Sequence, residues 1–318
     1  MYYMGIDLGG TNIKAGIVED TCRILAQSDC PTLSARSPEE VCDDIVKLCG
    51  TILKQAGMTW EDIQGIGVGC PGIINPETGM VEYSNNLGWR NFSMREYLQK
   101  RTGKSVQMGN DANVAALGEV YAGSAKGAKS AVIITLGTGV GSGVVLDSKI
   151  LCGCRFGASE FGHMVIEYGG RLCTCGRRGC LDSYASATGL INLTEEAIRC
   201  HPESRMGKLS REHGGTDGRT AFEAMKQGDA AAKQVVDTYI GYLACGMTNI
   251  INILQPEIIS IGGGISKEGD ALLIPLRQKT YAEVFGGYDE KGTRIEVCTL
   301  GNKAGLIGAA MLALQESR

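Results

Sequence analysis

The 318-residue chain predicts an α/β protein made of two related halves. Three observations carry that reading. Apolar strand-like runs alternate with segments of helical periodicity along the whole length. A strand–glycine turn–strand pattern occurs at 3–18 and again at 131–146, each time leading into a further α/β segment. The length also exceeds what one ordinary core holds, so two domains are expected.

The elements follow in order. Strands are expected at 3–7, 13–18 and 22–27, the first two joined by the permissive turn Gly9-Gly10-Thr11-Asn12. A helix is expected over 38–55: Ser37 can cap it, Pro38 suits its first position, and Val41, Ile45, Leu48 and Ile52 recur at helical spacing. A buried strand at 63–68 stops before Pro71. The stretch 71–91, with Asn75-Pro76, Gly79, Asn85-Asn86 and Gly88, reads as a long loop, a kind of segment that is usually functional. A helix at 94–102, a strand at 105–108 and a helix at 112–122 come next. The second strand pair, 131–136 and 140–146, surrounds Gly137-Thr138-Gly139. Helical stretches are expected at 185–200, 220–226 and 230–254, with an exposed polar loop over 201–218. A strand at 257–261 runs into Gly262-Gly263-Gly264, where Ser266 is placed to cap the next helix, one interrupted by Pro275. A strand near 295–298 and a helix over 304–315 close the chain.

Hydrophobic residues make up 43% and charged residues 21%, as in a soluble globular protein. The net charge of −4 argues against nucleic acid as a partner, which calls for a basic face. No apolar run reaches the ~18 residues of a membrane span, and the first residues lack the basic and apolar regions of a signal peptide. Thirteen cysteines, an odd number and mostly scattered, point to reduced thiols and a cytoplasmic location.

The exception to that scatter is Cys173-Thr-Cys175-Gly-Arg-Arg-Gly-Cys180, with His163 upstream. Three thiols and an imidazole can fill a closed tetrahedral zinc site, which would shape a loop rather than catalyse. The alternative is three buried thiols on a tight loop.

Four further pieces lie at strand ends. Asp7-x-Gly9-Gly10-Thr11-Asn12-x-Lys14 sets a carboxylate beside a turn whose backbone N–H groups can approach a phosphate, with Thr11 adding a hydroxyl. A carboxylate beside phosphates makes sense with a divalent cation between them. Gly137-Thr138-Gly139 is a second such turn, and Gly263-Gly264 a platform where no Cβ obstructs a nucleotide. Each of the three alone is also readable as an ordinary glycine turn. In Gly109-Asn110-Asp111-Ala112-Asn113, Asp111 either caps the following helix or accepts a proton from a substrate hydroxyl. Phosphoryl transfer needs little more covalent help than that.

Together these pieces resemble the ROK family of sugar kinases, within the actin/hexokinase/Hsp70 superfamily. The resemblance spans essentially the whole chain. It rests on the Asp7–Lys14, Gly109–Asn113, Leu136–Gly141, Glu160-Phe-Gly-His163, cysteine and Ile261–Ile265 motifs, and Asn86-Leu-Gly-Trp89 looks most like the bacterial glucokinases. It implies two actin-like (ribonuclease H-like) α/β domains flanking a cleft: a smaller one of 1–111 plus 302–318, and a larger one of 112–301 carrying the zinc loop. It further implies ATP with Mg²⁺ as phosphoryl donor and a hexose, glucose first, as acceptor at its 6-hydroxyl. Asp111 matches the catalytic base; Asn86, Asn110, Glu160, His163 and Asp182 match sugar-contacting positions, and His163 serves the metal as well. The family usually has glutamate where this chain has Asp182, which opens N-acetylmannosamine, N-acetylglucosamine, mannose, fructose or allose as other acceptors. Some members are sugar-sensing regulators with a helix-turn-helix ahead of the first glycine turn; here that turn begins at residue 7, which favours a kinase. A homo-oligomer, dimer or tetramer, is the family expectation.

Overall fold

The computed structural model describes residues 1–287 and 292–315. Residues 316–318, part of the expected smaller domain, lie outside them. Packing divides the chain into two compact units: Met1–Ala131 with Gly143–Ser159 and Thr299–Arg318, and Val132–Ser142 with Glu160–Cys298. This grouping puts residues 112–131, 143–159 and 299–301 with the first unit, where the resemblance implied the larger domain.

In the first unit, β1 (Tyr2–Leu8), β2 (Asn12–Glu19) and β3 (Ile24–Pro31) form an antiparallel meander. β4 (Ile63–Cys70) lies parallel to β1, and β8 (Val106–Asn110) parallel to β4, giving the order β3-β2-β1-β4-β8. Alternate residues of β1 face opposite ways. Met4, Ile6 and Leu8 join a core with Val41, Ile45 and Ile52 of α1 (Pro38–Ala56). Gly5 and Asp7 instead face α10 (Ala304–Gln315). A side chain at Gly67 of β4 would overlap the Ala309 carbonyl of α10, so only glycine lets that helix settle on the sheet. α1 starts as expected: Ser37 and Glu40 form a reciprocal capping box, and Gly57 ends the helix in the left-handed region.

The expected loop over 71–91 is instead a small antiparallel sheet of β5 (Ile73–Asn75), β6 (Met80–Ser84) and β7 (Trp89–Phe92). Its strands are three to five residues long, too short to show a period; Asn75 ends β5, and Pro76, Gly79, Asn85, Asn86 and Gly88 occupy the connections. α2 (Met94–Thr102) precedes β8, and α3 (Asp111–Ala122) packs along α10. Glu119 of α3 is buried and accepts hydrogen bonds from Ser124 N–H (2.8 Å), Ser124 Oγ (3.0 Å), Thr299 N–H (3.2 Å) and Leu300 N–H (2.9 Å). That carboxylate fastens the chain leading into α10 to the end of α3.

The second sheet has the order β11-β10-β9-β12-β13. Its strands are β9 (Ser130–Leu136), β10 (Val140–Leu146), β11 (Lys149–Ile150), β12 (Ile258–Gly263) and β13 (Arg294–Val297). Both sheets therefore place their first strand in the middle, the next two on one side and the last two on the other. That repeated order bears out two related halves. Helices α4 (Asp182–Ala185), α5 (Ala187–Cys200), α6 (Arg205–Glu212), α7 (Thr220–Lys226), α8 (Ala230–Leu254) and α9 (Asp270–Glu283) complete the second unit.

Three expectations need correcting here. The helix over 185–200 is broken at Ser186, whose extended backbone separates α4 from α5 and whose hydroxyl accepts from Gly189 N–H (3.0 Å). The stretch 201–218 contains α6, capped by Ser204 and buried through Met206 and Leu209, too few apolar positions to read as a pattern. Ser266 caps nothing. It sits in a 3₁₀ turn, Ile265–Glu268, and its hydroxyl donates to Gly263 O (2.8 Å). Pro275 lies inside α9, as the sequence indicated. Among the described residues, no helix is long and apolar enough to cross a membrane.

Candidate active site

In the first unit, β1 and β2 join through Gly9–Thr11, with Asp7 opposite Lys14 in the register. The turn is braced from β3's end: Thr32 N–H donates to Thr11 O (2.8 Å) and Thr32 Oγ1 to Gly9 O (2.6 Å). Gly9 N–H closes the turn on Asn12 O (2.9 Å). Burial pushes the Asp7 carboxyl above the usual range, and the Lys14 charge only partly offsets it. A Cβ at Gly305, in the first turn of α10, would lie 2.7 Å from the Asp7 carboxyl carbon, so the helix start crowds this carboxylate. Asn86, in the turn between β6 and β7, is exposed and comes close to Gly10: its Cβ is 3.4 Å from where a Gly10 Cβ would stand. The first unit thus brings Asn86 to the glycine turn.

At the β8–α3 junction, Asn110 is the helix cap, not Asp111. Its Oδ1 accepts from Ala112 N–H (2.9 Å) and Asn113 N–H (3.2 Å), and its Nδ2 donates to Gly72 O (3.0 Å). The helix begins at Asp111, whose Oδ1 also accepts from Ala112 N–H (2.9 Å). The capping duty that could have accounted for Asp111 is therefore performed by its neighbour. Burial, then the Asp111 charge, drives the Cys70 thiol at the end of β4 well up. Asp111 thus sits at the C-terminal ends of parallel strands β4 and β8, where open α/β sheets bind ligands.

In the second unit, the 137–139 turn joins β9 to β10, with Gly137 N–H on Gly139 O (3.0 Å). The start of α5 grips it: Ala187 N–H donates to Gly137 O (2.8 Å) and Thr188 Oγ1 to Thr138 O (2.8 Å). Asp182 reaches the same turn, its Oδ1 accepting from Val140 N–H at 2.6 Å. Gly263 has φ 87° and no room for a side chain beside the Leu136 carbonyl, which ties the end of β12 to the end of β9; Gly264 follows with open space at its Cβ position. Glu160 is exposed, and its carbonyl accepts from His163 N–H (3.0 Å) in a 3₁₀ turn. Phe161 N–H donates to Ser142 Oγ (3.0 Å), fixing this segment to β10.

His163, Cys173, Cys175 and Cys180 offer one donor atom each, all within 4.8 Å of one another. Cys173 Sγ stands 3.6 Å from His163 Nδ1 and Cys175 Sγ 3.7 Å from Cys180 Sγ. The edge of a tetrahedron with ~2.3 Å metal–sulfur bonds is ~3.8 Å, so these separations fit a zinc-sized ion. Burial works against the Cys173 thiolate, but hydrogen bonds from Cys175, His163 and Ser183 outweigh it and hold the group at about 6. Burial and the neighbouring thiols push Cys180 up to about 12. Three crowded sulfurs cannot all ionise without a cation beside them, and the donor set suits a divalent metal.

Two α/β units of like strand order, with glycine turns at their strand ends, define an actin-like α/β protein. The chain belongs to the ROK family, whose model matches residues 3–316. It is 39% identical over 316 residues to a glucokinase of Halalkalibacterium halodurans, covering 99% of this chain and 96% of that one. It is 37% identical over 311 residues to a glucokinase of Thermotoga maritima, covering 97% and 96%. A ROK family glucokinase from Streptomyces griseus, solved with glucose and AMPPNP, matches with a TM-score of 0.79 and 31% identity, covering 99% of this chain and all of that one.

Proposed function

We propose that this chain transfers the γ-phosphoryl group of ATP to the 6-hydroxyl of glucose. The observation that carries the reading is full-length identity of 37–39% to two glucokinases, alongside a like-folded glucokinase holding glucose and an ATP analogue. In this reading Asp111 takes the proton from the 6-hydroxyl as its oxygen attacks phosphorus, with ADP leaving. Its place at the start of α3, beside a cap that already satisfies the helix, supports that role. Glu160 and His163 orient sugar hydroxyls, and Asn86 and Asn110 bound the sugar. Asn110 does so mainly through the shape it gives the turn, since its amide oxygen already accepts two backbone N–H groups. The turns at Gly9–Asn12 and Gly137–Gly139, with Lys14, Thr138 and the Gly263-Gly264 platform, receive the nucleotide.

Two metals belong to this proposal. Asp7, a crowded and half-buried carboxylate at the first turn, would hold Mg²⁺, which neutralises phosphate charge when bound. His163, Cys173, Cys175 and Cys180 would hold zinc, which fixes the imidazole and its loop. Self-association as a dimer or tetramer completes the reading and is checked by light scattering on an eluting column.

The test is ADP formation from Mg·ATP with glucose, mannose, fructose, allose, N-acetylglucosamine and N-acetylmannosamine. A dominant glucose rate that vanishes in Asp111→Asn is expected. Preference for another sugar would keep the chemistry and overturn the substrate. No turnover with any of them would overturn the enzyme reading.

A further inference from the structure

We infer that Asp182 positions the 137–140 turn for the nucleotide, an inference that rests on the kinase reading above. Asp182 Oδ1 takes the Val140 N–H at 2.6 Å, a short charge-assisted bond at the first residue beyond the glycine turn. The same oxygen lies 2.6 Å from where a Gly139 Cβ would stand, so the carboxylate fills the space that glycine vacates. A glutamate here, one methylene longer, would have to bend away from that place or shift its backbone.

That backbone is held firmly. Leu181 is fully buried and its N–H donates to Met164 O (2.8 Å), while Ser183 N–H donates to Cys180 O (3.0 Å). Asp182 thus extends from a fixed point beside the cysteine cluster to the turn. The other side of the turn is held through its carbonyls, by Ala187 N–H on Gly137 and Thr188 Oγ1 on Thr138. The α4–α5 segment therefore grips the turn from both ends, and Asp182 supplies the only grip on a turn N–H among these contacts. Losing it lets the backbone that presents Thr138 relax, and weakens binding of whatever phosphate the turn receives.

Asp182→Ala and Asp182→Asn separate this role from sugar contact. Asparagine keeps an acceptor at the same reach, so it should stay within about threefold of the parent, whereas alanine should raise KM for ATP about tenfold or more with KM for glucose changed less than about threefold. AMPPNP titrated calorimetrically without sugar should weaken about tenfold in Asp182→Ala, at unchanged zinc content. A raised KM for glucose with AMPPNP binding intact would assign the carboxylate to the sugar and overturn the inference. Equal nucleotide loss in both variants would overturn the hydrogen-bond role. If alanine does not fold, Asp182→Ser replaces it, since its hydroxyl is too short to reach Val140. The nucleotide titration reads Asp182 even if no sugar is turned over, so failure of the kinase reading is told apart from failure of this one.

Discussion

Asp111 and Asn110 are adjacent polar residues at one strand–helix junction, and the sequence could not say which caps the helix. Either side chain suits a cap; only the backbone path, with Asn110 extended and Asp111 already helical, divides the work. Asp111→Asn keeps an acceptor for Ala112 N–H and so should leave the melting temperature within about 2 °C, while kcat falls by about 10²–10⁴ if the residue is the base. Steady-state kinetics beside thermal melts decide it. Asp7 makes the opposite kind of prediction. Its pKa is raised in the folded protein, chiefly by burial, so the native state holds the proton more tightly than the unfolded chain. The stability this lends below the unfolded carboxyl value is lost as pH rises through the folded one, and at neutral pH the ionised group is a net cost. Asp7→Asn should therefore raise the melting temperature of the ligand-free protein by about 1 °C or more at pH 7, shrink that gain below pH 4, and abolish activity.

At the scale of elements, the cysteine loop and the small β5–β7 sheet mark the limits of sequence reading in opposite ways. The loop was legible because thiols at that spacing have few other uses. The sheet was not, because its short strands gain stability from pairing that no local pattern records. The loop's role gives a sharp expectation. With zinc bound as proposed, chelation should lower melting temperature and activity together, because the free energy of binding would be spent on folding the loop that carries His163 and leads to Asp182. Metal analysis with parallel melting curves checks this: one zinc per chain before treatment, and activity surviving its complete removal would exclude the assigned role.

Across the whole molecule, each unit contributes glycine turns and polar groups that the proposed function assigns to two ligands. Ligands that bind only the folded chain stabilise it by mass action, by about 2.7 kcal/mol at a hundredfold excess over Kd. Mg·AMPPNP at that excess should raise the melting temperature on the order of 5 °C, with a separate increment from glucose. Scanning calorimetry with each ligand alone and both together measures it, and no shift with either would contradict the kinase reading.

The sequence by itself determined the α/β class, the duplicated halves, the Cys/His cluster and the glycine turns, because strand period, helix caps and the spacing of thiols are local properties of the chain. It also placed Asp111 beside a strand end. Only the tertiary structure decided what meets what. That Glu119 clamps the approach to α10, that Gly67 admits α10 onto β4, and that Asp182 turns to Val140 N–H all join residues between 42 and 242 positions apart. Such contacts are set by how packed elements lie on one another, and no periodicity along the chain encodes them.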